Sequence, residues 1–143
     1  MANELRAWLL DWPHQPLALA ACEVVEILAS PEIHHVPFGP TWCRSLVVWH
    51  SKLLALALPE KTSDENINVV IVAYQTAPLA PLQHAAIATI AQPLQIQVRD
   101  GLDCEAPADC VLDAAAIRAC FLHDERAVVV PELKFMFGAE IAA

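Results

Sequence analysis

The sequence has no uninterrupted apolar stretch long enough to span a membrane, although 57% of its 143 residues are apolar and its mean hydropathy is +0.43. A spanning helix needs about 20 predominantly apolar residues, so no membrane insertion is expected. The first residues include Glu4 and Asp11 and lack the basic start and small-residue cleavage site of a signal peptide. We therefore predict a cytoplasmic location.

Positive charge is scarce in this chain. It has 8 Lys and Arg against 17 Asp and Glu, which gives a net charge of −9 and an isoelectric point near 4.9. An acidic chain repels phosphate backbones, and no local cluster of basic residues offsets this repulsion. The sequence therefore argues against nucleic acid as a partner.

Glycines and catalytic motifs are few. With three glycines, the chain has no Gly-rich phosphate loop, and it has neither a GxSxG nor an HExxH motif. Adjacent His34 and His35 would point to opposite faces of a strand, and His84, within an apolar run, is interpreted as a core or edge histidine. An enzyme that uses Cys43 or His50 is the least favoured alternative. We expect no enzymatic activity, no cofactor and no metal.

The cysteines are odd in number and irregularly spaced, and without an export signal they are interpreted as reduced thiols, mostly small core residues. Cys104 and Cys110 lie six residues apart in a polar acidic loop. No CxxC motif or flanking histidine accompanies them, so a metal or redox pair is disfavoured there. The five cysteines are Cys22, Cys43, Cys104, Cys110 and Cys120.

The chain is organised around residues 42–60, where apolar runs at 46–49 and 53–58 flank His50, Ser51 and Lys52. Two strand-length runs around a short polar break predict a β-hairpin, with a helix over 53–58 as the alternative. Both runs are almost continuously apolar, which favours strands covered on both faces. Pro59 ends the second run.

The same pattern returns at residues 118–132. Aligned on Arg44, Arg118 starts the second copy, and the turn at 123–126 falls on residues 49–52. Each copy closes on a Pro-Glu pair. The repeat predicts two similar β units in one chain, with chance similarity between two apolar hairpins as the alternative.

Residues 66–98 contain no Asp, Glu, Lys or Arg. We predict strands at 68–74 and 94–98, and part of this uncharged third is interpreted either as an exposed apolar patch for a partner or as the shared core. It could also line an apolar pocket, which would make the protein a small-ligand-binding β-barrel. An exposed patch is equally compatible with a homo-oligomer.

The other segments give weaker predictions. Residues 4–12 and 17–21 predict a first pair of strands, and 22–28 predicts an element of undecided type. Three prolines and a glycine in 29–40 predict a connector without regular structure. The charged residues 61–66 are interpreted as a loop between two halves, and 133–137 as a short apolar end.

The order of these motifs resembles the CheW-like domain family, the adaptors of bacterial chemosensory arrays. Residues 17–28 resemble that family's strand and V-x-E-[IV]-L element, with Val24 and Glu26 on its Val and Glu. Residues 31–37 resemble the Pro-bounded segment that follows, and 45–54 takes the place of the G-V-I-x-x-R-G hairpin. Residues 68–74 resemble the next strand, 79–90 match the G-x-x-V-D element more weakly, and 117–137 match the closing hairpin and apolar turn.

The resemblance implies a mainly β fold with a few short helices: two small SH3-like or OB-like β-barrel subdomains around a shared hydrophobic core. Residues 1–143 would form one domain, with subdomains at about 17–65 and 66–130 and the terminal segments packed across them. The implied function is a non-enzymatic adaptor. It would couple the regulatory domain of a CheA-type histidine kinase to the cytoplasmic tip of a methyl-accepting chemoreceptor.

The resemblance also implies a receptor-facing groove. Carried over by position, its candidate residues are Val24, Glu26, Ser45, His50 and Leu53. The family's Arg-Gly is His50-Ser51 here, its leading Gly is Ser45, and its second-half Asp is His84. Loss of the arginine removes a permanent charge, which points to a divergent member that serves a different receptor or a pilus-type (twitching) pathway.

Overall fold

The computed structural model of the protein describes residues 4–13, 15–29, 31–59, 66–99 and 102–138. Strands dominate these residues, and the helical segments are short: 3₁₀ turns at Ala21–Glu23 and Ala114–Ala116, and a π-helical turn at Lys134–Gly138. The strands are β1 (Glu4–Leu10), β2 (Leu17–Ala20), β3 (Val24–Ala29), β4 (Ile33–His35), β5 (Ser45–Trp49), β6 (Lys52–Ala57), β7 (Asn68–Tyr74), β8 (Gln83–Thr89), β9 (Leu94–Arg99), β10 (Ile117–His123) and β11 (Arg126–Pro131).

The strands form two curled sheets. The first has the order β10-β11-β2-β1-β9, and the second has the order β3-β7-β8-β6-β5-β4. In the first sheet, the chain beyond β9 reaches the opposite edge, where Asp103 lies opposite Phe121 of β10. In the second, Glu26 of β3 reaches Trp49 of β5 from the far side of the sheet. Each sheet therefore curls so that its two edges approach each other, as in a small barrel.

Three apolar clusters explain why the strands are almost continuously apolar. Successive side chains of a strand point to opposite faces, so a strand between two clusters must be apolar on both. In β7, Val70 and Val72 face the core shared by the two sheets, whereas Val69 and Ile71 fill the interior of the second barrel. In β2, Leu17 and Leu19 face the shared core. The predicted two-barrel architecture around a shared core is confirmed.

Both predicted hairpins are present and have the same geometry. Trp49 pairs with Lys52 across the first turn, and His123 pairs with Arg126 across the second. The two central residues have positive φ in each turn, 49° and 63° at His50 and Ser51 and 50° and 65° at Asp124 and Glu125. These are the φ signs of a type I′ turn, whose twist matches that of the strands it joins. The alignment of the two copies by sequence placed these turns on one another.

Three predictions about individual elements are corrected or completed. The connector at residues 29–40 was predicted to lack regular structure, but it contains β4, which pairs with β5 at Ile33–Val47 and His35–Ser45. Three residues fit between the prolines, and Pro is tolerated beside an edge strand. The element of undecided type is a 3₁₀ turn followed by β3, and the apolar end is the π-helical turn.

The subdomain boundary stays a prediction, since most of the loop at 61–66 lies outside the described residues. Strands from both proposed subdomains occur in each sheet: β2 and β9 lie in the first, and β3 and β7 in the second. Among the described residues, no helix is long and apolar enough to cross a membrane.

Candidate functional site

One end of the second barrel gathers most of the residues that the motif resemblance selected. Strand β6 runs parallel to β8, so the turn before β6 and the loop before β8 lie at the same end of the sheet. Strand β3 is antiparallel to β7 and pairs Val24 with Val72, so it begins at this end too. The topology therefore brings together residues from three distant parts of the chain.

The indole ring of Trp49 is the centre of this end. Its centroid lies 4.4 Å from that of His50 and 5.1 Å from that of His84. Its Nε1 donates to Glu26 Oε1 at 3.5 Å, and His50 Nε2 lies 3.8 Å from the same oxygen. We refer to Glu26, Trp49, His50 and His84 as the Trp49 cluster. Trp49 also packs on the interior of the second barrel, which anchors the cluster to the core.

The predicted groove residues do not all meet in this place. The structure brings Glu26 and His50 together, and Leu53, 60% exposed, lies near the start of the adjacent β6. Val24 is half-buried and packs against the shared core. Ser45 is buried at the other end of β5, where its hydroxyl hydrogen-bonds His35 Nδ1 at 3.0 Å. At about 3.3 Å of rise per residue, Ser45 and His50 are some 16 Å apart along the strand.

Sequence reasoning missed further residues at this end of the barrel. Trp49 was included in an apolar run, and His84 was interpreted as a core or edge histidine. The loop before β8 places Leu79 fully in solvent with a φ of 68°, and Leu82 is 60% exposed. A non-glycine residue with positive φ and an exposed apolar side chain is uncommon. Nothing in the sequence indicated that this loop lies at the same end of the sheet as Trp49.

The chemistry of this end suits contact rather than catalysis. Glu26 and His50 are well exposed, with side-chain exposures of 44% and 66%, so an ion pair between them contributes little to stability. The carboxylate and imidazoles offer hydrogen bonds, and Leu53 and Leu79 offer apolar surface. An aromatic centre with a polar surround is typical of a protein-binding patch.

A second feature is an apolar cleft of about 380 Å³ between the segment before β5 and the π-helical turn. Phe38, Trp42 and Leu46 line one side, and Met136 and Phe137 line the other. Burial raises the pKa of the Cys43 thiol, which also lines the cleft, to about 11. Such a thiol stays protonated at neutral pH and is a poor nucleophile.

The geometry gives little support to the two alternatives drawn from the sequence, an enzyme that uses Cys43 or His50 and a small-ligand-binding β-barrel. Cys43 precedes β5 and His50 follows it, so the strand separates the thiol from the imidazole. Residues 66–98 contribute none of the cleft lining. Instead Val69, Ile71 and Ala86 fill the barrel interior. Within the described ranges, no group of three or more His, Cys, Asp or Glu side chains could hold a metal ion.

The fold defines a class of protein built from two curled β-sheets on a shared core, with the motif order of CheW-like domains. Comparison with solved structures gives a particular relative: the scaffolding protein TtCheW from Thermoanaerobacter tengcongensis. The match has a TM-score of 0.70 and covers 96% of this chain and 90% of that one, at 14% sequence identity. No family model and no curated protein matches the sequence. The chain therefore has a CheW-like fold, as the motif resemblance implied.

Proposed function

We propose that the protein is a non-enzymatic adaptor of bacterial chemosensory signalling. It would act in the cytoplasm, where it couples the regulatory domain of a CheA-type histidine kinase to the cytoplasmic tip of a methyl-accepting chemoreceptor. The observation that carries the proposal is the likeness of fold to a scaffolding protein over 96% of the chain. The Trp49 cluster, an exposed patch with no catalytic constellation, supports a binding role.

The proposed receptor-binding surface is the end of the second barrel. It combines the exposed members of the predicted groove, Glu26, His50 and Leu53, with Trp49 and His84, which the barrel brings beside them. Val24 takes part by holding the start of β3 against the shared core. Ser45 supports this surface indirectly, because its hydrogen bond to His35 joins β4 to β5.

The adaptor proposal is tested by calorimetry with the regulatory domain of a CheA-type kinase from the same organism. We expect micromolar binding, which corresponds to about −8 kcal/mol. A Kd of about 1 mM or weaker would contradict the kinase-coupling role, and only the assignment of the fold would remain.

The receptor surface is tested with a matched pair of variants. Leu53 and Leu94 are exposed to almost the same extent, 60% and 61%, but Leu94 begins β9 on the first barrel. We expect Leu53→Glu to weaken co-sedimentation with a receptor cytoplasmic fragment at least tenfold, about 1.4 kcal/mol, because it places a charge in an apolar contact. Leu94→Glu should change it less than twofold. Equal effects would rule out this end of the barrel as the receptor site.

The protein is proposed to serve a different receptor from the family's usual one or a pilus-type system, because His50-Ser51 replaces the Arg-Gly of the family's motif and removes a permanent charge. Competition between receptor tips of pilus-type and flagellar-type systems tests this. Preference for the pilus-type tip is expected, and the His50→Arg variant should reduce that preference.

A further inference from the structure

Two cysteine thiols from separate segments meet at the outer edge of the first barrel. The sulfur atoms of Cys104 and Cys120 lie 3.1 Å apart. Sequence spacing drew attention only to Cys104 and Cys110, whereas Cys120 lies sixteen residues from Cys104 and is brought to it by the fold.

The backbone holds the two thiols in this position. Cys104 N donates to Cys120 O at 3.0 Å and Leu122 N donates to Leu102 O at 2.8 Å, so residues 102–104 lie antiparallel along the edge of β10. Cys104 and Cys120 are therefore directly opposite each other. Opposed residues of a hydrogen-bonded pair have Cα atoms about 5.5 Å apart, within the range that a disulfide bridges.

The surroundings give the two thiols different roles. Cys104 is half-buried and accessible from solvent. Cys120 is 7% exposed, packs on the shared core, and has its sulfur 3.6 Å from the carbonyl oxygen of Glu105. Burial and the neighbouring thiols raise the pKa of Cys120 to about 12, so this thiol stays protonated at neutral pH and is a poor nucleophile toward a peroxide in solvent. An oxidant from solvent therefore reaches Cys104 first, and Cys120 is placed to attack the oxidised sulfur. Its attack on the Cys104 sulfur, 3.1 Å away, relies instead on proximity and on transfer of its proton to the departing hydroxyl.

We propose that Cys104 and Cys120 form an oxidation site that closes to a disulfide in the presence of a peroxide. The Cys104 sulfur attacks a peroxide oxygen: an S–O bond forms, the O–O bond breaks, and one water leaves once protonated. The Cys120 sulfur then attacks Cys104: an S–S bond forms, the S–O bond breaks, and a second water carries away the thiol proton. Two thiols are oxidised by two electrons and one hydrogen peroxide is reduced to two waters.

The disulfide would tie residues 102–104 covalently to β10. Backbone hydrogen bonds hold that seam in the reduced protein, so oxidation would fix residues 102–104 at the edge of the first barrel. In reducing compartments such disulfides are usually transient and redox-sensing, and a thiol reductant should reverse this one. The proposal is independent of the adaptor function.

Peptide mapping of the full chain tests the proposal. The protein is treated with hydrogen peroxide, free thiols are alkylated, and trypsin then cleaves after Arg99, Arg118 and Arg126. Cys104 and Cys110 fall in one peptide and Cys120 in the next. We expect one linked pair of these peptides in the monomeric protein, which dithiothreitol separates.

Three serine variants assign the bond. Cys110→Ser is the matched control, since Cys110 shares the peptide and the half-buried environment of Cys104, and it should keep the link. Cys104→Ser and Cys120→Ser should abolish it, with circular dichroism to check that each is folded. A link that survives in Cys104→Ser overturns the assignment. So does a wild-type protein in which Cys104 proceeds to sulfinic acid without any link to Cys120.

Discussion

At the residue scale, the turns depart most from what the sequence indicates. The chain has only three glycines, and the two hairpin turns use none of them but His50-Ser51 and Asp124-Glu125. Each of these residues has a positive φ, which costs a non-glycine residue about 1–2 kcal/mol. The polar break in the sequence predicted where each turn lies. The type I′ geometry of the turn follows from the register of the two strands, and the turn residues themselves do not specify that register.

Replacement of Ser51 by Gly should stabilise the protein. Glycine adopts the φ of 63° at this position without steric strain, so we expect the free energy of unfolding to rise by about 0.5–1 kcal/mol. Urea denaturation measures the change. Glu125→Gly, at a φ of 65° in the second turn, should give a similar gain. Lys52→Gly, at the first residue of β6, should lower stability, and a loss of similar size for Ser51→Gly would contradict the expectation.

At the scale of elements, the sequence predicted the hairpins and the strands covered on both faces, because continuous apolar runs and polar breaks are local signals. It missed β4, whose three residues between prolines give no periodic signal. Of the Trp49 cluster, motif position selected Glu26 and His50, but the contact of Trp49 with His84 depends on which strands become neighbours. Apolar runs do not encode that choice.

The duplicated hairpins also differ at their open ends. Arg118 donates to both carboxylate oxygens of Glu132, at 2.8 and 3.0 Å, whereas its counterpart Arg44 donates to the carbonyl oxygen of Gly39 at 2.8 Å. The two aligned arginines therefore have different roles. Arg118 joins the two ends of its own hairpin, whereas Arg44 contacts the segment that precedes its hairpin.

The Arg118–Glu132 pair should make stability depend on pH. The Arg118 guanidinium, by hydrogen bonding first and charge second, lowers the pKa of the Glu132 carboxyl. A lowered folded-state pKa contributes stability above the unfolded value of about 4.3 that is lost as pH falls through the folded one. Because Arg118 is half exposed, we expect Glu132→Gln to cost at most about 1 kcal/mol at pH 7.

Denaturation of wild type and Glu132→Gln between pH 7 and pH 2 measures this effect. The difference between them should shrink to zero once Glu132 is protonated. Glu125→Gln, which removes an exposed carboxylate in the turn of the same hairpin, is the control and should show a smaller difference at neutral pH. If the difference in the free energy of unfolding between wild type and Glu132→Gln stayed constant down to pH 2, the ion pair would not be its cause.

At the scale of the whole molecule, the two barrels are joined across their shared core. Trp12, in the connection between β1 and β2, is fully buried, and its Nε1 donates to the carbonyl oxygen of Ala57 in the second barrel at 3.0 Å. A shared core was implied by the motif resemblance. The bond that spans it was not, because Trp12 and Ala57 are 45 residues apart and neither residue type identifies the other as its partner.

Replacement of Trp12 by Phe should destabilise the protein strongly. The variant loses the bond to Ala57 and leaves a cavity, so we expect a loss of about 2–4 kcal/mol in the free energy of unfolding. Trp8→Phe is the matched control, since Trp8 is half-buried against the same core, and it should cost clearly less. Equal losses would show that Trp12 contributes by bulk alone.

The alternation of side chains along β7 has a consequence for how the protein loses its structure. Val70 and Val72 cover the core that both sheets share, while Val69 and Ile71 support the second barrel from within. Local opening of either barrel would therefore strip the apolar cover from the other, so the two should unfold in one cooperative step. Native-state hydrogen exchange should then assign the same opening free energy to the amides of β2 and β7, although these strands belong to different sheets.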